Sequence, residues 1–143
     1  MRITTTLAAV AFAAVTLAAC SSSTEAVDSP EASAAERPGV VRVGAQDAVS
    51  LLGERDDLSV IDVRTPAEFA DGHLEGAELV DIYEPAFRDE IDGLDRDGSY
   101  VLYCRTGNRS GQAAAFMREL GFTEVYDAGG LAELADAGAT IVR

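Results

Sequence analysis

An α/β layered fold with a mainly parallel sheet is what the chain predicts, on three observations. Strand-like and helix-like segments alternate through residues 39–143, the order that builds parallel sheets through helical crossovers. Leu58-Ser-Val-Ile-Asp-Val63 is a near-continuous β-branched run, as expected of a strand covered on both faces. Tyr100-Val-Leu-Tyr103 is a second apolar run that passes through Cys104 and a polar, glycine-containing loop into a helical pattern. Ligands in such folds sit beyond the carboxyl ends of the strands, which is where Cys104 falls.

The chain starts with a segment that is not part of this domain. Met1-Arg2 is a short positive start, and Leu7 to Ala19 is an almost unbroken apolar run. A spanning helix needs ~20 apolar residues, so the run has the shape of a secretory core instead. It ends in Leu17-Ala-Ala-Cys20 followed by three serines, which resembles a bacterial lipobox. That resemblance implies cleavage of residues 1–19, lipid on Cys20, and a membrane-anchored protein on the extracytoplasmic face. The alternative is an ordinary signal peptide with a coincidental cysteine. Residues 20–38 are rich in Ser, Ala, Glu and Pro, too poor in apolar surface to offset ordering entropy, and are expected to be a disordered tether.

Within the domain, 39–143, Val40 to Val43 reads as a short strand and Ala45 to Glu54 as a helix with Ala48, Leu51 and Leu52 on one face. After the Leu58–Val63 strand, Thr65-Pro66-Ala67-Glu68 has the form of an N-cap, a first-turn proline and a capping box. The helix it opens is expected to end near Gly72. A strand over Glu78 to Ile82, a weak helix over Pro85 to Ile91 and a turn at Asp95-Arg-Asp-Gly98 follow. Gln112 to Leu120 is helical, with Ala113, Phe116, Met117 and Leu120 facing inwards and Gly121 in the position after the C-cap. Glu124 to Asp127 is the last expected strand, and Gly129-Gly130 turns the chain into a helix over Leu131 to Asp136.

Composition narrows the chemistry. The 143 residues carry 25 Asp+Glu against 11 Arg and no Lys, a net charge of −14. Phosphate backbones need clustered cations, so nucleic acid is excluded as a partner. Cleavage after residue 19 removes Arg2 and no acid, making the mature chain one charge more negative. His73 and the pair Cys20 and Cys104 supply too few ligands for a zinc centre, so no metal is expected. With Cys20 acylated, Cys104 has no intrachain disulfide partner.

Cys104 stands where a strand becomes a helix. Loop N–H groups can converge there into an anion-binding nest, and the helix N-terminus adds positive potential. Arg105 and Arg109 flank it with full charges. A thiol so placed ionises readily. The bland alternative is a buried small hydrophobe, which the two arginines and the strand-to-helix junction oppose.

Together these residues resemble a single rhodanese domain. Asp62-Val-Arg64, Glu68-Phe69 and Gly72-His73-Leu-Glu-Gly76-Ala77 look like that family's motif near the second strand, and Cys104-Arg-Thr-Gly-Asn-Arg109-Ser110 looks like its active loop. Gly129-Gly130 is similar to the family's C-terminal glycine pair. The match runs roughly from Val41 to Leu134. Many members carry a tryptophan after that pair and this chain has none, so the C-terminal wall of the site is the part the likeness does not describe. The resemblance implies a three-layer fold, with a mainly parallel sheet of about five strands flanked by helices. It also implies sulfurtransferase activity without a cofactor. Cys104 takes sulfane sulfur from a small anionic donor such as thiosulfate and passes it to a thiol or cyanide-like acceptor.

In that reading Arg105, Thr106, Gly107, Asn108, Arg109 and Ser110 bind substrate. Arg109 forks onto donor oxygens and Arg105 draws anions to the mouth. Asp62, Arg64, Glu68, His73, Gly129 and Gly130 support the site without taking part in the chemistry. Two other functions remain. A tethered persulfide carrier or sulfide sensor needs the same loop. A cysteine phosphatase or arsenate reductase also closes an anion loop with arginine, but with one residue more between the two than Arg-Thr-Gly-Asn here.

Overall fold

The computed structural model describes residues 38–143. The apolar leader, Cys20 and the tether up to residue 37 lie outside the described residues. The described chain runs β1 (Gly39–Arg42), α1 (Ala45–Glu54), β2 (Leu58–Asp62), α2 (Pro66–Asp71), β3 (His73–Leu74), β4 (Glu78–Leu79), α3 (Phe87–Asp92), β5 (Ser99–Cys104), α4 (Asn108–Glu119), β6 (Glu124–Gly130), α5 (Leu131–Asp136) and β7 (Ile141–Val142). No helix among the described residues is long and apolar enough to cross a membrane.

The central sheet has five strands in the order β1-β6-β5-β2-β4, and every pairing in it is parallel. Because side chains alternate along a strand, the two central strands feed two cores. Ile61, Val63, Tyr100, Leu102 and Cys104 meet Phe87 and Ile91 of α3 and Ala113, Ala114 and Met117 of α4. Val60, Val101, Tyr103, Tyr126 and Ala128 meet Ala48 of α1 and Leu134 of α5 on the other face. The result is the layered α/β arrangement with a parallel sheet expected from the strand–helix alternation, in the three layers that the resemblance implies. Strand parity thereby aims Cys104 towards α3 and α4.

Local signals operate as read. Thr65 and Glu68 form a reciprocal capping box at the start of α2, with Pro66 in its first turn. Gly121 closes α4 at φ +84°, with Phe122 N–H donating to the Met117 carbonyl at 3.1 Å, the left-handed cap glycine allows.

Several element limits shift by a residue or two, and the larger departures lie around the Cys104 loop and the sheet edges. Helix α4 begins at Asn108 rather than Gln112, because its first turn faces the Cys104 loop and carries polar residues instead of an apolar repeat. Strand β4 stops at Leu79; the chain then turns as Asp81 Oδ1 accepts the Tyr83 N–H at 3.0 Å. Strand β6 continues to Gly130, through the glycine pair. An antiparallel sheet of β3 with β7 was not anticipated, since two-residue strands carry no periodicity to read.

The amino ends of the central strands are tied by a closed polar network. Glu124 accepts from Arg55, from the Ser99 hydroxyl at 2.7 Å and from the Tyr126 hydroxyl at 2.8 Å. Arg55 also donates to Asp57 at 2.6 Å. The Arg55 hydrogen bond, opposed by burial and helped by Ser99 and Tyr126, holds the Glu124 carboxyl at about 2 instead of its ordinary 4.5. An unfolded Glu124 takes up its proton near pH 4.5 and the folded one only near pH 2. Its contribution is therefore complete above the upper value and is lost as pH falls through that window. Urea titrations across the acid range should show wild type losing on the order of 3 kcal/mol more than Glu124→Gln over this interval; parallel curves for the two proteins count against this role for the network.

Candidate active site

Strand β5 is buried along its whole length and delivers Cys104 at its carboxyl end. The residue has no accessible surface, yet it is not simply packed in hydrocarbon. Gly107 N–H donates to Cys104 Sγ at 3.0 Å. Burial pushes the thiol up, but the Ser110 and Thr106 N–H groups, the Ser110 hydroxyl and the Gly107 N–H outweigh it, so the net shift is downwards. The donors all come from the loop and the first turn of α4, a twelve-residue helix whose N-terminal potential adds to them. The arrangement presents hydrogen-bond donors to the sulfur in a water-poor site and favours its thiolate form over the thiol.

Two glycine positions make the loop possible. Gly107 has φ +87°, and a Cβ on it would lie 2.7 Å from Arg42 Nη2 and 3.3 Å from the Gly129 Cα. A Cβ on Gly130 would stand 2.9 Å from the Arg105 carbonyl oxygen and 3.3 Å from the Thr106 Cα. The loop therefore rests directly on the end of β6. The register there shifts, with Leu102 opposite Asp127 but Cys104 opposite Gly130. The extra residue on β6 is a bulge, with Gly129 at φ +83° inside it.

The structure separates the remaining expected residues into three groups. Arg105, Thr106 and Asn108 are exposed around the loop, and Ser110 is buried beneath it. Asn108 Oδ1 accepts from Gln112 at 2.7 Å, along the helix rather than towards the sulfur. Arg109 lies at the rim, and both its terminal nitrogens are on the Glu68 carboxylate at 2.7 Å. Those are the groups expected to fork onto a donor. Arg109, opposed by burial and helped by Thr65, holds the Glu68 carboxyl at about 2. The third group stands away from the loop. Buried Asp62 takes Arg64 in a forked pair with contacts of 2.9 and 2.6 Å, and Arg64 donates on to the Gly72 carbonyl at 2.7 Å. His73 stacks on Phe69 with centroids 3.6 Å apart, and its Nδ1 is 3.0 Å from the Phe69 carbonyl.

Two neighbours of the site were not singled out from sequence. Arg42 Nη1 donates to Asp127 at 3.1 Å while its other nitrogen backs Gly107; only the β1–β6 register, which pairs Arg42 with Asp127, would have shown it. Tyr83 is 70% exposed, and the Arg109 guanidinium is 5.7 Å from its ring centroid. A groove of about 570 Å³ lined by Leu52, Leu58, Val60, Leu74 and Ala139 holds no residue of the Cys104 loop.

Residues 45–137 match the family described as Rhodanese-like domain. The chain is 36% identical over 75 residues to the thiosulfate sulfurtransferase PspE of Escherichia coli strain K12, covering 52% of this chain and 72% of that one. It is 40% identical over 93 residues to the thiosulfate sulfurtransferase GlpE of Pseudomonas aeruginosa strain LESB58, covering 65% and 81%. Among solved structures, a rhodanese-like domain from Anabaena sp. superposes with a TM-score of 0.62 at 27% identity, covering 71% of this chain and 77% of that one.

The close approach at Gly130 yields a direct test. Gly130→Ala must push the Arg105–Thr106 backbone outwards and spread the donors around the sulfur. Ultraviolet titration of the Cys104 thiolate should then show the pKa rising towards the ordinary value, with slower alkylation at neutral pH. An unchanged titration would mean that the loop does not depend on this contact.

Proposed function

The chain belongs to the rhodanese-like domain family, and from that premise we propose that it is a sulfurtransferase working through a Cys104 persulfide. The observation that carries this is the donor set on the sulfur: a buried Sγ that accepts the Gly107 N–H at 3.0 Å and whose pKa the loop lowers. The names of the relatives, thiosulfate sulfurtransferases, support thiosulfate as a donor.

In the first half-reaction the Cys104 thiolate attacks the outer sulfur of the donor. A bond forms from Sγ to that sulfur, the donor's S–S bond breaks, and sulfite leaves with the electron pair when thiosulfate is the donor. The charge then sits on the terminal sulfur of the persulfide, and the loop N–H groups that stabilised the thiolate are positioned to stabilise it too. In the second half-reaction a thiol or cyanide-like acceptor attacks the terminal sulfur and the thiolate is restored. The loop lowers the pKa of the nucleophile, so the reading assigns no side chain the part of general base. A tethered persulfide carrier that delivers to one partner would use the same loop.

We also propose that Cys20 carries lipid and holds the protein on the extracytoplasmic face of the membrane. The support is the Leu-Ala-Ala-Cys sequence after a short apolar core. Cys20→Ala should move the protein from the membrane to the soluble fraction; a variant that stays with the membrane overturns the anchor.

Mass spectrometry of the domain with thiosulfate should find one added sulfur atom on the Cys104 peptide, and none in Cys104→Ser. Steady-state transfer to cyanide separates a turnover enzyme from a carrier, which would hold the sulfur and turn over slowly. Arg109→Ala should reduce donor use by at least ~10-fold, since a charge-assisted hydrogen bond is worth ~1.5–3 kcal/mol and the change also strands the Glu68 charge at the mouth. Unaltered kcat/KM for thiosulfate in that variant would remove Arg109 from donor recognition.

A further inference from the structure

Two features of the mouth have no part in the sulfur-transfer steps. The first is Tyr83. Its backbone is fixed, with its N–H on Asp81 Oδ1 at 3.0 Å and the Glu84 N–H on the Asp81 carbonyl at 3.1 Å. Its ring is 70% exposed, where the only other exposed large hydrophobic side chain among the described residues, Ile141, is 37% exposed. A ring anchored from behind and open in front, beside the Arg109 guanidinium, offers an apolar face next to a charge.

The second is Glu68. It occupies both terminal nitrogens of Arg109, and it stays ionised throughout the neutral range. Around the cup the charges of Arg105 and Arg109 are thus set against that of Glu68 and against the sulfur of Cys104 in its thiolate form. One negative charge on a donor can be met by the loop N–H groups. A second meets an arginine already committed to a carboxylate.

We propose that Tyr83 and Glu68 set donor specificity, favouring a sulfane donor with a single negative charge and an apolar organic body over compact, dianionic thiosulfate. This rests on the sulfurtransferase reading and refines its donor class. For an organic thiosulfonate, R–SO2–S⁻, the balance is complete. The Cys104 thiolate attacks the outer sulfur, the bond from that sulfur to the sulfonyl group breaks, and R–SO2⁻ leaves with the electron pair. Cys104–S–S⁻ remains, and no proton or external redox partner is involved.

The test measures kcat/KM for benzenethiosulfonate and for thiosulfate with cyanide as common acceptor, in wild type, Tyr83→Ala and Glu68→Gln. Intrinsic leaving-group reactivity differs between the donors, but it cancels when their ratio is compared across proteins. Tyr83→Ala should lower the ratio by about fivefold, through KM for benzenethiosulfonate, as loss of an aromatic contact predicts. Glu68→Gln keeps an acceptor for the Thr65 cap and frees Arg109. It should lower the ratio by about fivefold through a smaller KM for thiosulfate, a gain that impaired folding cannot produce. A ratio within about twofold of wild type in Tyr83→Ala overturns the aromatic half of the proposal. A raised KM for thiosulfate, or loss of both donors, in Glu68→Gln overturns the charge half. Failure of the underlying sulfurtransferase reading is distinct: wild type would then transfer sulfur from neither donor.

Discussion

The site depends on one close approach, the Cys104 loop lying directly on the backbone of Gly130. Burying an ionised sulfur is opposed by desolvation that amounts to several kcal/mol for a bare charge. Hydrogen bonds to a charged group return ~1.5–3 kcal/mol each, so one donor cannot reverse the cost and several can. The Gly107 N–H on the sulfur, together with the Thr106 and Ser110 N–H groups that also lower its pKa, is such a set. They converge only if the chain after Cys104 curls tightly, and the inside of that curl is occupied by the end of β6. A methyl group on Gly130 would be 2.9 Å from the Arg105 carbonyl oxygen. The bulge that brings Gly130 opposite Cys104 and the missing side chain at that position are two parts of one solution.

The two ends of the sheet show how differently polar groups can be arranged on one scaffold. At the amino end, Arg55, Ser99 and Tyr126 all donate to Glu124, and the set is internally satisfied. It fastens β5 and β6 to the turn that precedes β2. At the carboxyl end, the loop amides outnumber the acceptors, with the sulfur of Cys104 as their common focus. That imbalance is what supports the proposed anion site. The closed network holds the strands against one another while the open one is left to bind. Glu68 links the two styles, since it caps α2 through Thr65 and also grips Arg109 across 41 residues of sequence.

The sequence was most legible where a local signal and the tertiary role coincide. Thr65-Pro66-Ala67-Glu68 reads as a helix start because capping is decided within one turn, and Gly121 reads as a stop for the same reason. Cys104 drew notice because an apolar strand, a loop with glycine and flanking arginines are contiguous, and the structure sets loop N–H groups around its sulfur. What escaped is set by long-range pairing. Nothing near Arg42 announces Asp127, and nothing near Glu68 announces Arg109, until strand order and helix position bring them together. The Glu68–Arg109 pair changes the meaning of Arg109, from an unengaged fork to one already holding a carboxylate. The early start of α4 escaped for a related reason. A helix turn that faces an anion cup is polar, so the apolar repeat used to find helices is absent where the helix matters most.

For the proposed anion site on a chain of net charge −14, the question is one of range. At physiological ionic strength the field of surface carboxylates fades over about 8 Å, and most of the domain's arginines are held by their own acids: Arg42 by Asp127, Arg55 by Asp57 and Glu124, Arg64 by Asp62, Arg96 by Asp92, Arg109 by Glu68. Arg105 has no such partner among the described residues and is exposed beside the cup. Long-range steering is therefore weak, and attraction acts only within contact distance, through amides and the first turn of α4. A cup of main-chain donors suits that situation better than a cluster of lysines. Its dipoles are fixed by the fold and cannot swing out to pair with the surrounding carboxylates, so they remain aimed at the sulfur however acidic the surface becomes.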